Sequence, residues 1–363
     1  RHRRRRNSMS ATPLLSIRHL LQEYRAGHRT PAAVLADISD RAARHEADNI
    51  WIHLLTEAQT APWLEALAGQ DPATLPLYGI PFAIQDNIDL AGIPTTAGCA
   101  AFSYTPDESA FVVERLIAAG AVPVGKTNLD QFATGLVGTR SPWGATRNAF
   151  NPEYISGGSS SGSAVALTRG LASFTLGTDT AGSGRIPAAF NNLVGIKPSR
   201  GLLSTRGVVP ACRSLDCVSV FTLDCDDAAA VMDVVTGFDA QDPYARKSHA
   251  SPPAPAPFRF GVPKDSQLEF FGDEEAASLF RQSVERLRGL GGEMVSVDFG
   301  PFLDTARLLY EGPWVAERYA AIESFIESRP QDMLPVTRGI IEPGGALRSV
   351  DAFKAQYRLQ SLK

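Results

Sequence analysis

Residues 155–187 read ISGGSSSGSAVALTRGLASFTLGTDTAGSGRIP, two small-residue turns flanking one apolar run. LASFTLG, 171–177, predicts a strand, and Thr180, Ala181, Gly182 and Ser183 predict a tight turn after it. The first half admits three chemistries. Gly157 to Gly162 has the spacing of a phosphate loop, but Ser163 stands where that loop needs a lysine. Gly158-Ser159-Ser160-Ser161-Gly162 matches a GxSxG nucleophile elbow, which needs a later histidine base. The histidines are His2, His19, His28, His45, His53 and His249, so none lies between residues 54 and 248. His249 adjoins a proline-rich stretch, a poor place for a precisely held base. The third chemistry is a serine-rich catalytic surface served by another base, with amides of the 180–183 turn receiving an oxyanion. Against all three stands a plain tight turn whose serines cap neighbouring helices.

Outward from this stretch, strand-like and helix-like runs alternate. IPFAI, AVPVG, CVSVFTL and FRFGVP predict strands. ESAFVVERLIAAG, CDDAAAVMDVVTG and EEAASLFRQSVERLRGLGG predict helices, the last ending in glycine. Near the start, Leu14, Leu15, Ile17, Leu20 and Leu21 form one apolar face. Thr30-Pro31 then reads as an N-cap and first helical residue for AAVLADISDRAARHE. The rhythm predicts an α/β fold, a mixed twisted β-sheet core surrounded by α-helices. SHASPPAPAPF, 248–258, reads as a long surface loop in preference to a domain linker. AFKAQYRLQSLK at the end of the chain reads as helix with no capping signal, as in a domain whose C-terminal part lies beyond residue 363.

Composition narrows the function classes. With 44% hydrophobic and 20% charged residues, the 363-residue chain is ordinary globular protein. Net charge is −4, from 35 basic and 39 acidic residues. Removing Arg1, Arg3, Arg4, Arg5 and Arg6 leaves 35 − 5 = 30 basic residues and a balance of −9, which excludes a nucleic-acid footprint. No apolar run approaches the roughly 20 residues of a bilayer span. Residues 1–8 read as an appended basic leader, leaving 9–363 as the folded domain. Cys99, Cys212, Cys217 and Cys225 form no CxxC pair, so buried reduced thiols in a cytoplasmic protein are expected, with no metal site.

Taken together, the motifs resemble the amidase signature family. The resemblance covers GIPFAIQDNIDLAGIPTTAGC, GAVPVGKTNLDQFATG, ISGGSSSGSAVALTRG and LGTDTAGSGRIPAAFNNLVGIKPSRGLLS, in the family's order, over roughly residues 76–225. It implies Ser-cisSer-Lys chemistry on amides, with no cofactor and commonly a homodimer. Ser183 matches the nucleophile, and Ser159 the bridging serine that follows a cis peptide bond. Thr180, Ala181 and Gly182 match the oxyanion hole, and Gly135 a substrate-pocket position.

The resemblance breaks at the base. Where the family carries lysine in a KDN sequence, this chain reads Ile84-Gln85-Asp86-Asn87. A neutral amide cannot accept a proton near pH 7, so the resemblance implies an inactivated centre, either an introduced substitution or a naturally silent one. Gln85 is expected to fill the lysine's space and to hydrogen-bond Ser159. Lys126 and Lys197 match ordinary family positions, and neither is an evident replacement.

Within the family, IPTTAGC, VVPACRSLDCVSVFTLDCDDA and LLYEGPWVAERYAAIESF are most similar to the allophanate hydrolases. That resemblance implies a small anionic amide substrate, allophanate or an analogue such as malonate. Tyr310 and Arg318 match residues that hold its carboxylate, a task suited to the guanidinium fork. Gly312-Pro313 is expected to interrupt the helix between them. Another amidase, the amidase component of an amidotransferase, or a non-catalytic binding protein are the alternatives.

Overall fold

The computed structural model describes residues 15–249 and 257–363. The basic leader and residues 250–256 of the Pro/Ala stretch lie outside the described residues. The chain divides into two units, one running to Ser248 and resuming at Ala316–Gly345, the other comprising His249–Val315 and Ala346–Lys363.

The first unit is built on a mixed six-stranded sheet. Its strands are β1 (Trp51–Leu54), β2 (Pro81–Gln85), β3 (Val122–Thr127), β4 (Phe174–Asp179), β5 (Val194–Ile196) and β6 (Cys217–Thr222). Their spatial order is β1-β3-β2-β4-β6-β5. β2 runs parallel to both β3 and β4, while the outer pairings are antiparallel. β2, β3, β4 and β6 are buried along their whole length. Such strands read as nearly continuous apolar runs, which is why IPFAI and CVSVFTL are legible without alternation.

Helices close the sheet. Thr30 caps Pro31–Arg44 by accepting from Ala33 N at 3.2 Å, with proline at the first position, as the sequence predicts. Asp224 does the same for Cys225–Val235, accepting from Asp227 N at 2.8 Å. Cys225 opens that helix on its exposed side, so the expectation of four buried thiols holds only for Cys99, Cys212 and Cys217. Helix Ser161–Thr168 is buried along its length apart from Thr168. Thr127 Oγ1 meets Ser163 Oγ at 2.7 Å, Thr175 Oγ1 donates to Ser163 O at 3.0 Å, and Ser163 Oγ reaches Leu176 O at 2.8 Å. These contacts dock the helix across β3 and β4 and hold its serine-rich N-terminus near the C-terminal ends of the parallel strands. Ligands of α/β sheets commonly bind at such strand ends.

In the second unit β7 (Phe258–Pro263) and β8 (Gly292–Val297) pair in parallel, joined through helix Glu274–Gly289. Asp273 caps that helix, and arginines fill its last turn, where they favour the macrodipole. Helix Gly300–Tyr310 ends just before Gly312-Pro313, and the next helix begins at Val315, the predicted interruption.

Candidate active site

The turn after β4 is organised by one carboxylate. Asp179 Oδ1 accepts from Gly182 N at 2.8 Å, and Oδ2 accepts from Gly184 N at 3.0 Å and Arg185 N at 3.2 Å. The Arg185 side chain adds Nε to Oδ2 and Nη2 to Oδ1, both at 3.0 Å. Burial alone would raise the Asp179 pKa, but these donors outweigh it and hold the carboxyl below its ordinary range. Gly182 lies at φ +132°, where an L side chain is strained, and a Cβ there would meet Ile186 Cδ1 at 2.8 Å. The turn therefore presents Ser183, 4% exposed, in a fixed place.

Opposite it, the Gly158–Ser159 peptide bond is cis, as the family resemblance implies. Ser160 N donates to Ser183 O at 3.3 Å, which brings the two serine-bearing turns together. Asp130 shapes the third wall. Its carboxylate accepts from Val137 N, Gly138 N and Arg140 N at 3.2, 3.0 and 2.9 Å. A Cβ on Gly158 would stand 2.3 Å from Asp130 Oδ2, so only glycine permits that approach. Ser183 Oγ in turn donates to Gly135 O at 3.4 Å.

The rival nucleophile is tied elsewhere. Ser160 Oγ donates to Thr178 O at 3.2 Å and accepts from Thr178 N at 3.3 Å. His28, His45 and His53 pair with Glu23, Asp48 and Gln59, and no histidine bonds these serines among the described residues.

Gln85 corrects one expectation. Its side chain is fully buried, but its amide does not turn to Ser159. Nε2 donates to Thr178 Oγ1 at 3.2 Å, and Oε1 accepts from Thr178 N at 3.0 Å. The β2–β4 pairing ends at Ile84 with Leu176, and the carboxamide bridges the two strands just beyond it. A planar group with a donor and an acceptor satisfies that position better than it can reach a hydroxyl. Ser159 Oγ is consequently buried with no hydrogen-bond partner among the described residues.

Neither nearby lysine substitutes. Lys126 pairs laterally with Ile84, and Gln85 with Thr127, so strand alternation sends Lys126 and Gln85 to opposite faces. Lys126 is fully buried against Asp86 at 3.1 Å, an ion pair off the hydrogen-bond direction, and donates to Thr95 Oγ1 at 3.0 Å. Lys197 Nζ turns to Pro198 O. Lys126→Met should destabilise the fold by about 3–5 kcal/mol, because it leaves a buried carboxylate uncompensated. Urea unfolding checks this, and a loss below about 1 kcal/mol would show that Asp86 does not depend on the pair.

Arg318 is 4% exposed on helix Val315–Ala321. Nη1 donates to Thr134 Oγ1 at 3.0 Å and lies 3.5 Å from Ala133 O. Among the described residues no carboxylate lies within ion-pair distance of it. Thr134 precedes Gly135, so Arg318 joins the same wall that faces Ser183. Tyr310 belongs to the second unit, as the half-exposed last residue of Gly300–Tyr310.

Of the predicted oxyanion amides, Gly182 N is engaged by Asp179, whereas Thr180 N, Ala181 N and Ser183 N donate to no protein acceptor among the described residues. Sequence reasoning missed Asp179, Asp130 and Asp216. For Asp179 a signal exists, an acid followed closely by glycines and an arginine, DTAGSGR.

A mixed sheet carrying two apposed serine turns and a buried arginine defines the class, and the chain belongs to the Amidase family, whose model matches residues 33–357. It is 43% identical to the urea amidolyase of Saccharomyces cerevisiae over 98% of this chain and 20% of that one. A serine-to-alanine variant of Kluyveromyces lactis allophanate hydrolase superposes with a TM-score of 0.90 at 43% identity, covering 98% of this chain and 58% of that one. A glutamyl-tRNA(Gln) amidotransferase component of Chlorobium luteolum is 38% identical over 74% of this chain and 57% of its own length. The chain thus spans about a fifth of the length of the curated urea amidolyase it matches.

Proposed function

We propose that this chain is an allophanate-hydrolysing amidase domain whose catalytic base position is filled by Gln85. The supporting observation is the continuous wall from Ser183 through Gly135 and Thr134 to a buried arginine with no carboxylate at ion-pair distance among the described residues. A desolvated guanidinium of this kind suits a small carboxylate-bearing amide. Greater similarity to urea amidolyase than to the amidotransferase component, in identity and in coverage of this chain, points the same way.

The chemistry follows from the residues. With a neutral amine at residue 85, Ser159 Oγ passes its proton to that amine and takes the proton of Ser183. Ser183 Oγ attacks the terminal amide carbonyl of allophanate. The N–H groups of Thr180, Ala181 and Ser183 receive the developing oxyanion. Ser159 returns a proton to the departing ammonia, and water then cleaves the acyl-enzyme to N-carboxycarbamate. Gln85 removes the first acceptor and leaves the remaining parts in place. A substrate-carboxylate role for Tyr310 rests on the family resemblance alone.

In a Gln85→Lys background, Arg318→Ala should weaken transition-state binding of an anionic amide such as malonamate by about 2–5 kcal/mol. Hydrolysis of neutral propionamide should change little. Comparing kcat/KM for the two substrates checks this, and equal losses on both would remove the carboxylate-binding role.

A further inference from the structure

We propose that Asp216 is a positioning residue that fixes the separation between the Thr180–Ser183 turn and the Arg318 guanidinium, and so sets the length of anion the site accepts. The inference rests on the reading of Arg318 as a carboxylate site. Asp216 is 7% exposed and sits just before β6. Its Oδ1 accepts from Thr180 Oγ1 at 2.5 Å and Cys212 N at 3.0 Å, and its Oδ2 from Ala211 N at 2.9 Å. One carboxylate therefore fastens the first residue after β4 to the loop 211–216.

The same loop is fastened to the arginine's helix. Glu317 immediately precedes Arg318, and its Oε2 accepts from Cys212 Sγ at 2.7 Å, Ser214 Oγ at 2.9 Å and Ser214 N at 3.2 Å. A path thus runs from Thr180 through Asp216, Cys212 and Glu317 to Arg318. A second runs from Ser183 through Gly135 and Thr134 to the same guanidinium. The two paths join the nucleophile's turn to the arginine's helix by separate routes. Thr180 and Asp216 are 36 residues apart, and Cys212 and Glu317 are 105 apart, so no local turn enforces either link. No hydrogen bond or ion pair joins Asp216 to Arg318, although the guanidinium's charge reaches the carboxyl and favours its ionised form.

A fixed span distinguishes ligands that touch both ends from ligands that touch one. Malonate carries one carboxylate for each end, whereas acetate carries a single carboxylate, for the arginine end alone. The test is a calorimetric and NMR titration of each anion into the chain as it stands, and into Asp216→Asn, Thr180→Val and Arg318→Ala variants. Asp216→Asn places a donor where three donors converge, so malonate binding should weaken by about tenfold or more, while acetate binding should not weaken, since a negative charge felt at the guanidinium is removed. Thr180→Val deletes only the hydroxyl link and should show the same selective loss if Asp216→Asn proves poorly folded. Equal losses for both anions, or none for malonate, would overturn the positioning role. If Arg318→Ala leaves both anions bound, the carboxylate reading itself fails, a result separable from any outcome at Asp216.

Discussion

Ser183→Ala, made alongside Gln85→Lys, should reduce ammonia release from allophanate to background. The expected loss is on the order of a millionfold, the size seen when a nucleophile that works as part of a unit is removed. The fold should be indifferent to the change. Ser183 Oγ makes one long contact, 3.4 Å to Gly135 O, while the turn around it is held by Asp179 through main-chain and Arg185 donors. Thermal unfolding should therefore stay within a few degrees of the parent, since a chain of this size shifts by only about 1–2 °C per kcal/mol. Ser160→Ala supplies the contrast. Its hydroxyl is tied to the Thr178 main chain, so its loss should cost stability more than chemistry. Retained turnover in Ser183→Ala with loss in Ser160→Ala would restore the GxSxG elbow reading.

The second large effect is the slowness of the chain as it stands. Without a general base, rates typically fall by ~10²–10⁴, and more where coupled residues act together. Binding should persist, because Arg318 and the free amides of the 180–183 turn come from other segments than β2. Malonate should therefore bind the parent and its Gln85→Lys variant with similar affinity, while turnover separates them. Equilibrium dialysis of malonate against both proteins checks the first half of that statement. Loss of binding in the parent would mean that Gln85 deforms the pocket as well as removing a base.

Local chemistry makes much of this legible from residues alone. Thr30-Pro31 announces a helix start because caps act within a few residues. IPFAI and CVSVFTL announce fully buried strands. The Thr180–Ser183 turn is visible as small residues after an apolar run. β1 escapes such reading, since WIHL is partly buried throughout and shows no alternation. Helix Glu57–Leu67 is hidden by Pro62 inside it. Asp216 and Glu317 are invisible for a different reason. The links that matter run from Asp216 to Thr180, 36 residues away, and from Glu317 to Cys212, 105 away, and an acid reads as solvated surface until the fold brings such donors. The direction of the Gln85 amide is equally beyond reach, because Thr178 competes for it only once β2 and β4 are side by side.

The proposed Ser183–Ser159 centre lacks only its base. The direct measurement is initial ammonia release from allophanate by the parent chain and by Gln85→Lys under identical conditions. Restoring the amine should raise the rate by about two to four orders of magnitude, or more. An unchanged rate, with the parent already turning over at an ordinary enzymatic ~10 s⁻¹, would contradict it and place the base elsewhere in the site.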